Sequence, residues 1–570
     1  MAFPPGAIEF ARDFVNKPIY AYTDLEKRML KSFFTNFERR VFFMHSLPSN
    51  VSATLFAMYS RMKNQRGIRG VFVDSFIPEF LACSLQEFID KESEFGQEST
   101  KFLRSRDIKN LNDFYAYSDE SRRSVEEFLG SIQIDPDYLQ RLAESNRTKR
   151  FLGMWLDKYG HNSIARTSSF YLGFEQISLL AAKSIEWTRP GAGYIELSTR
   201  YVDMGGKDCF PIAELLGIYG KSAVSVIGLL EKSFDYYREL QGDKFSGPFP
   251  QFLRENYSKF ITNEKDLENG VVGETCDVLG NFLPCATLTS VGVHISGESL
   301  PELMKHLIVD NTPENEALAE AVMAESEKVG ANQFIRHFEP TPWKTMSWEY
   351  LDTKAFLNHE DPIVVESGSL SREAAEKILV RAFQKLKSGE KIKNIDDLIS
   401  KFKDVPRGEY DRLSNQFERI NATLSGVMSF RGWRDLHRQG FSTHLRTFVT
   451  PDIGFYKYDK KAPESFFKAS EYIHNENKKV YRELDTLPRE ILQYPMAIGN
   501  LIGFEISSNL LQWEFCNWQR TKFSVNHEVR QVFLSMENLL RKNYPWWKDI
   551  SRADITPAYI FARTEKGIPL

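Results

Sequence analysis

The strongest constraint on this chain is its similarity to itself at long range. "FEQI" at 174–177 returns as "FERI" at 417–420, an offset of 243, and "YREL" at 237–240 returns at 481–484, an offset of 244. Further along, "LPCATLTSVGVHISGESL" (283–300) matches "YPMAIGNLIGFEISSNLL" (494–511) at Pro, Ala, Gly, Ile, Ser and Leu, offset by 211. The order is kept, and the change of offset fits an insertion in the first copy between Leu240 and Pro284. Three matches in order predict two diverged copies of one domain. We set the boundaries at 1–335, a first copy with its own N-terminal helices, and 336–570, a second copy opened by a helical connector.

Local patterns give each copy both helix and strand. Apolar residues fall at helical spacing over 24–46, "DLEKRMLKSFFTNFERRVFFMHS", and again in "NVSATLFAMYSRM". The charged stretch 84–150 reads as surface helices with loops. Alternation in "SSFYLGFEQIS" predicts a strand ahead of a helix in "LLAAKSIEW", and "AVSVIGLLEKSFDYYREL" reads as a long helix. In the connector, Ser371 followed by acidic and helix-forming residues predicts a capped helix. The expected class is α+β, with sheet and helices segregated.

Composition removes several functions. Net charge is −4 with a pI near 6.3, so no global basic field argues for nucleic acid or an anionic membrane. The five cysteines are odd in number, scattered and without a CxxC pair, which predicts neither a disulfide framework nor a zinc ribbon. "MAFPPGAIEFARDF" is unlike a secretory leader, and no apolar run approaches a membrane span. A cytoplasmic location is the expectation. No HExxH, EF-hand loop, GxGxxG or GxxxxGK[ST] occurs, so no metal site, Rossmann or P-loop device is expected. Cys285 is read as packing, since no activating base adjoins it.

The octapeptide "YIELSTRY" (194–201) places Glu196, Ser198 and Arg200 at alternate positions, so an extended chain would point all three the same way. It follows Arg189-Pro190 and a Gly-rich turn, which predicts a loop emerging from a helix. Arg200 suits a phosphate or carboxylate through a forked pair of hydrogen bonds. The plainer alternative is a surface turn with Glu196 paired to Arg200. In the second copy, "FRGWRDLHRQG" puts Arg431, Arg434 and Arg438 at i, i+3 and i+7, with Asp435 placed to pair with Arg431. That pattern predicts either an anion cradle or a solvated basic face. His161, in "KYGHNS", follows a glycine ahead of the strand at 169.

Together, "YGHNS…FEQISLLAAK…YIELSTRY" resembles the flavin-dependent thymidylate synthase (ThyX) family, whose motif runs RHRxxSxNExSxRY after an upstream GH element. "LPCATLTSVGVHISGESL" and "YPMAIGNLIGFEISSNLLQW" look like its LPL…N-x-R segment. The whole chain, with "FFTNFERRVFFMHSLP" and "PRGEYDRLSNQFERI", is similar to a tandem form in which two ThyX-like copies are fused. The resemblance implies a twisted antiparallel sheet with flanking helices in each copy. It also implies methylation of dUMP at C5, with methylenetetrahydrofolate as carbon donor, FAD as redox carrier and NADPH as reductant. The two copies would supply complementary halves of a site, and a homodimer would mimic the family's tetramer.

By the same resemblance, Glu196 and Ser198 take catalytic positions, joined by Arg438 at the first arginine of RHR in copy two. Thr199, Arg200 and Tyr201 fall on the nucleotide-holding run, with Arg434 and Arg520 as further substrate-binding groups. His161, Arg189, Arg438 and Gln439 fall at flavin-binding positions, and His527 and Arg530 follow as in the tandem form. The departures are specific. RHR reads Arg438-Gln439-Gly440 in copy two, and copy one retains Arg189 before Pro190. N-x-R is replaced by Ser296 and Glu298 in copy one and by Ser507 and Asn509 in copy two; the arginine ahead of the proline gives way to the neighbourhood of Gly280. Each lost charge-assisted hydrogen bond is worth on the order of 1.5–3 kcal/mol. The alternative expectation is therefore a diverged paralogue that binds nucleotide or flavin without this turnover, or modifies another pyrimidine. Arg446 and Lys522 are the cations available to stand in for those missing.

Overall fold

In a computed structural model, the structure describes residues 3–59, 66–85, 95–132, 150, 152–158, 162–187, 191–198, 204–206, 208–335, 350–357, 364–366, 368–384, 389–409, 411–440, 442–562, 564 and 567–570. The chain divides into two compact units. Unit 1 is Met1–Ile185, Gly191–Val202 and Leu288–Met346; unit 2 is Glu186–Pro190, Asp203–Thr287 and Ser347–Leu570. The segment 203–287 thus groups with unit 2, so the compact units do not follow a single cut at 335/336.

Unit 1 is built on an antiparallel sheet of β1 (Val41–Met44), β2 (Ser169–Ser178), β3 (Ala192–Glu196) and β4 (Leu288–Ser296), in the order β1-β2-β4-β3. Both faces are apolar. Val41 and Phe43 join one core cluster with Leu172, Phe174, Val291 and Val293 and the helices Leu179–Ile185, Leu300–Val309 and Pro313–Ser326. Phe42 and Met44 point into a second cluster with Phe34, Phe56, Phe72 and Phe114. Alternate side chains of β1 therefore serve two cores. This corrects the helical reading of 24–46: the helix stops at Leu30 and "VFFM" is a strand. A run buried on both faces is apolar at every position, so its period does not separate strand from helix. The expected strand and helix at 169–185 and the helices within 95–131 are present.

Unit 2 carries β5 (Val364–Glu366), β6 (Asn421–Ser429), β7 (Ser442–Arg446) and β8 (Leu501–Asn509), antiparallel and ordered β5-β6-β8-β7. Ser371 caps the helix Arg372–Ala382 by accepting from the Ala374 amide. The long helices Val224–Gln241 and Glu464–Glu483 both end near a "YREL", and Tyr236 meets Tyr472 edge-on at 5.4 Å.

Within unit 2, residues 281–286 and 494–499, at the start of the two matched segments, are hydrogen-bonded to each other. Cys285 N donates to Met496 O and Ile498 N to Leu283 O, both at 2.8 Å; Ala286 N donates to Tyr494 O and Gly499 N to Asn281 O. Each bond returns with donor and acceptor exchanged at an offset of 213 (285 to 498, 283 to 496). The same offset relates Thr287 and Asn500, which form the bridges Cys209–Thr287 and Phe455–Asn500. The sequence offset of 211 is therefore two residues out of register, because the prolines align but the backbone roles do not. "FEQI" and "FERI" are not equivalent either: the first lies in β2, the second spans the end of the turn Asn415–Arg419 and Ile420 ahead of β6. Among the described residues no helix is long and apolar enough to cross a membrane.

Candidate functional site

In unit 1, β2 ends at a serine that starts a helix. Ser178 Oγ accepts from the Ala181 amide at 2.9 Å and donates to Glu314 Oε2 at 2.6 Å, while Ser178 N donates to Glu314 Oε1 at 2.9 Å. One hydroxyl thus caps the helix and anchors it to the first turn of the helix Pro313–Ser326. The fifth residue of the capped helix, Lys183, reaches the last residue of β3: its Nζ lies 2.7 Å from Glu196 Oε2, with the two side chains 1% and 3% exposed. Glu196 is therefore neither on an exposed loop nor in a surface turn. The backbone stays paired past β3, since Leu197 N donates to Ser290 O at 2.8 Å, and Ser198 follows half-buried. Thr199, Arg200 and Tyr201 lie outside the described residues, as do His161 and Arg189.

Unit 2 repeats the junction. Ser429 Oγ accepts from Gly432 N at 2.9 Å and donates to Glu528 Oε2 at 2.6 Å; Ser429 N donates to Glu528 Oε1 at 2.7 Å. The helix is Phe430–Leu436, and its arginines are not the surface pattern expected. Arg431 is buried, donating to Asp277 Oδ1 at 2.8 Å and to Cys276 O at 3.3 Å, and its Nε fills the space a Cβ on Gly280 would need. Arg434 is also buried. The three arginines thus form neither a solvated face nor a cradle, and Asp435 pairs with Arg438 at 3.1 Å instead of with Arg431. The reason is burial: a helix packed on all sides turns an i, i+3 pair inward.

Beyond that helix the polar groups converge. His437 stacks on Trp433 at 4.4 Å, with Nε2 3.5 Å from Glu186 Oε2. Arg438, a quarter exposed, lies 3.9 Å from the other Glu186 oxygen. Gln439, with its amide oxygen turned to Arg520, accepts from Nε at 3.0 Å and Nη2 at 2.7 Å. Arg520 has no carboxylate in ion-pair reach among the described residues. Burial first, and the neighbouring Arg438 second, push its guanidinium down to about 10. Arg438, Gln439 and Arg520 are thus brought together. Arg446 is enclosed by Tyr350, Phe430 and Trp433, donating to Thr447 O and Gln493 Oε1, and Lys522 sits 3.9 Å over Trp518, so neither replaces a missing family cation here. Cys285 is fully buried and its thiol is pushed up to about 12 by desolvation, which fits packing. Sequence reasoning missed Lys183 and Glu186. Lys183 stands thirteen residues from Glu196 in a helix that otherwise reads as apolar.

Residues 116–330 match the Thy1 family model, described as thymidylate synthase complementing protein. The chain is 24% identical over 468 residues to a UPF0159 protein of Thermoplasma acidophilum, covering 75% of this chain and 91% of that one. It is 22% identical over 529 residues to a UPF0159 protein of Chlamydia pneumoniae, covering 86% and 88%. Among solved structures it is similar to a UMP/dUMP methylase, PolB from Streptomyces cacaoi, bound with 5-Br dUMP, at 15% identity and a TM-score of 0.29, covering 34% of this chain and 97% of that one. The chain is ThyX-like.

Proposed function

We propose that this protein is a flavin-dependent thymidylate synthase-type enzyme, methylating dUMP at C5 with methylenetetrahydrofolate, FAD and NADPH. The observation that carries this reading is Arg520, a part-buried guanidinium set beside Arg438 that meets an amide oxygen and, among the described residues, no carboxylate. Desolvating a cation that has no anionic partner is costly, and a phosphate or pyrophosphate offsets that cost. In this reading Arg438, Gln439 and Arg520 hold the anionic groups of flavin and nucleotide, and bound flavin supplies the redox chemistry. Ser198 orients the uracil, and Arg200, with Thr199 and Tyr201, anchors its phosphate.

We further infer that the two units descend from one duplicated domain. The shared strand order, the paired Ser–Glu clamps and the exchanged hydrogen bonds at offset 213 support this.

The test is the visible spectrum of the purified protein, followed by dUMP-dependent exchange of the C5 proton. We expect flavin absorbance and exchange, with Arg520→Met lowering nucleotide or flavin affinity by tenfold or more, about the loss of one charge-assisted bond. A colourless protein that FAD does not reconstitute would sink the proposal. A second reading, a paralogue acting on another pyrimidine, is favoured by Glu298. It stands where the family has an arginine and is paired to Arg166 at 2.7 Å. Rescue of a thymidine-requiring strain would exclude it.

A further inference from the structure

The helix Leu510–Arg520 turns Gln512, Cys516 and Arg520 along one side, and Arg520 meets Gln439 there. Residues 514 and 518 point elsewhere, since a displacement of two positions is about 200° on a helix. On that other side Glu514, fully buried, accepts from both Arg407 and Arg552, and Arg552 lies 4.3 Å over Trp518. Beside this group is a cavity of about 560 Å³, between the end of the connector and the loop 549–552. Phe402, Val405, Leu413, Phe417 and Ile550 give it an apolar lining.

Three residues that line this cavity carry incompletely used polar groups. Arg407 Nε and Ser414 Oγ are buried and have no hydrogen-bond partner. Arg412, which is exposed, lies 3.8 Å over the Phe515 ring and has no carboxylate in ion-pair reach among the described residues. Two guanidiniums share the single Glu514 carboxylate, Lys403 is matched by Asp549 at 3.6 Å, and Asp411 accepts from the Gly408 amide. Donors therefore outnumber acceptors around an apolar chamber of the size small ligands occupy, roughly 300–1,000 Å³. Orphaned buried donors in a native structure call for a partner.

We propose that this cavity is a second ligand site, taking an organic anion with a flat apolar body and a carboxylate or phosphate head. The head sits against the exposed Arg412, with Arg407 and Ser414 beside it, and the body lies on Phe402, Leu413 and Phe417. The site does not depend on the proposed reaction, because the connector and the 549–552 loop build it.

Calorimetric titration of the full chain tests it with 2-naphthoate, 2-naphthyl phosphate and neutral 2-naphthylmethanol. We expect at least one anion to saturate at one per chain, the alcohol to bind about tenfold or more weakly, and the tighter anion to identify the head group. Arg412→Gln should weaken the anion by about tenfold while leaving the alcohol unchanged. Val405→Trp, at an exposed mouth position, should block both, and Arg520→Met should alter neither. Anions binding no tighter than the alcohol, or an undiminished titration with folded Arg412→Gln and Val405→Trp proteins, would overturn the proposal.

Discussion

In unit 1 the fifth residue of the helix after β2 is Lys183 and the last residue of β3 is Glu196. In unit 2 the same two places, after β6 and at the end of β7, hold Arg434 and Arg446. Both helices start from the same Ser–Glu clamp, so the backbone frame is shared and the charge is not. Unit 1 closes its pair internally at 2.7 Å in near-complete burial. Unit 2 buries two cations, and Arg446 rests on a carbonyl, a glutamine oxygen and three aromatic rings. The frame fixes where the groups go; the residue types decide which charges those places carry.

The largest effect follows from breaking the neutral pair. Lys183→Met leaves Glu196 ionised and buried, and should cost about 3–5 kcal/mol of stability. The double variant Lys183→Met with Glu196→Leu should recover most of that loss, since apolar replacement of a buried pair is often close to neutral. Urea unfolding of the three proteins measures it. A Lys183→Met protein as stable as wild type would mean that the pair does not lock unit 1.

These same residues show what was legible beforehand. The strand and helix at 169–185 followed from alternation and then apolar periodicity, and the Ser371 cap from a local motif. Local signals carry such elements because their causes lie within a few residues. The fate of Arg431 did not, since its carboxylate partner Asp277 is 154 positions away. The meeting of Arg520 with Gln439 leaves no mark in the spacing either. The repeat itself was read from short matches, one of which is not equivalent in the fold and another two residues out of register. Hydrogen-bond roles recur in the two units where side chains differ, and a sequence displays side chains alone.

The clamps offer a middle-sized test of how alike the frames are. Ser178→Ala and Ser429→Ala each remove a helix cap and a hydrogen bond to a buried carboxylate, and each should cost about 2 kcal/mol. Burial raises the Glu528 carboxyl above its usual range even with the Ser429 bonds in place, so removing the hydroxyl should raise it further. Matching losses would place the difference between the modules in the charge pair. A loss confined to one serine would locate it in the clamp.

The smallest effect separates the modules by pH. The middle residue of β3 is Tyr194 and that of β7 is His444. Burial pushes the His444 imidazole down to about 3. The folded state keeps this ring neutral while the unfolded chain takes up a proton below its ordinary value of about 6.5. The unfolded state therefore binds more protons in that window, and stability is retained above pH ~6.5 and lost as pH falls from there toward 3. The loss approaches about 1.4 kcal/mol per pH unit. His444→Phe removes the titrating group and keeps an aromatic ring, so its stability should fall less between pH 6.5 and 5.5, by about 1 kcal/mol relative to wild type. Chemical denaturation at the two pH values reads the difference directly. Parallel pH profiles for the two proteins would mean that β7 admits the imidazolium, and that the polarity of this module extends from its arginines to its sheet.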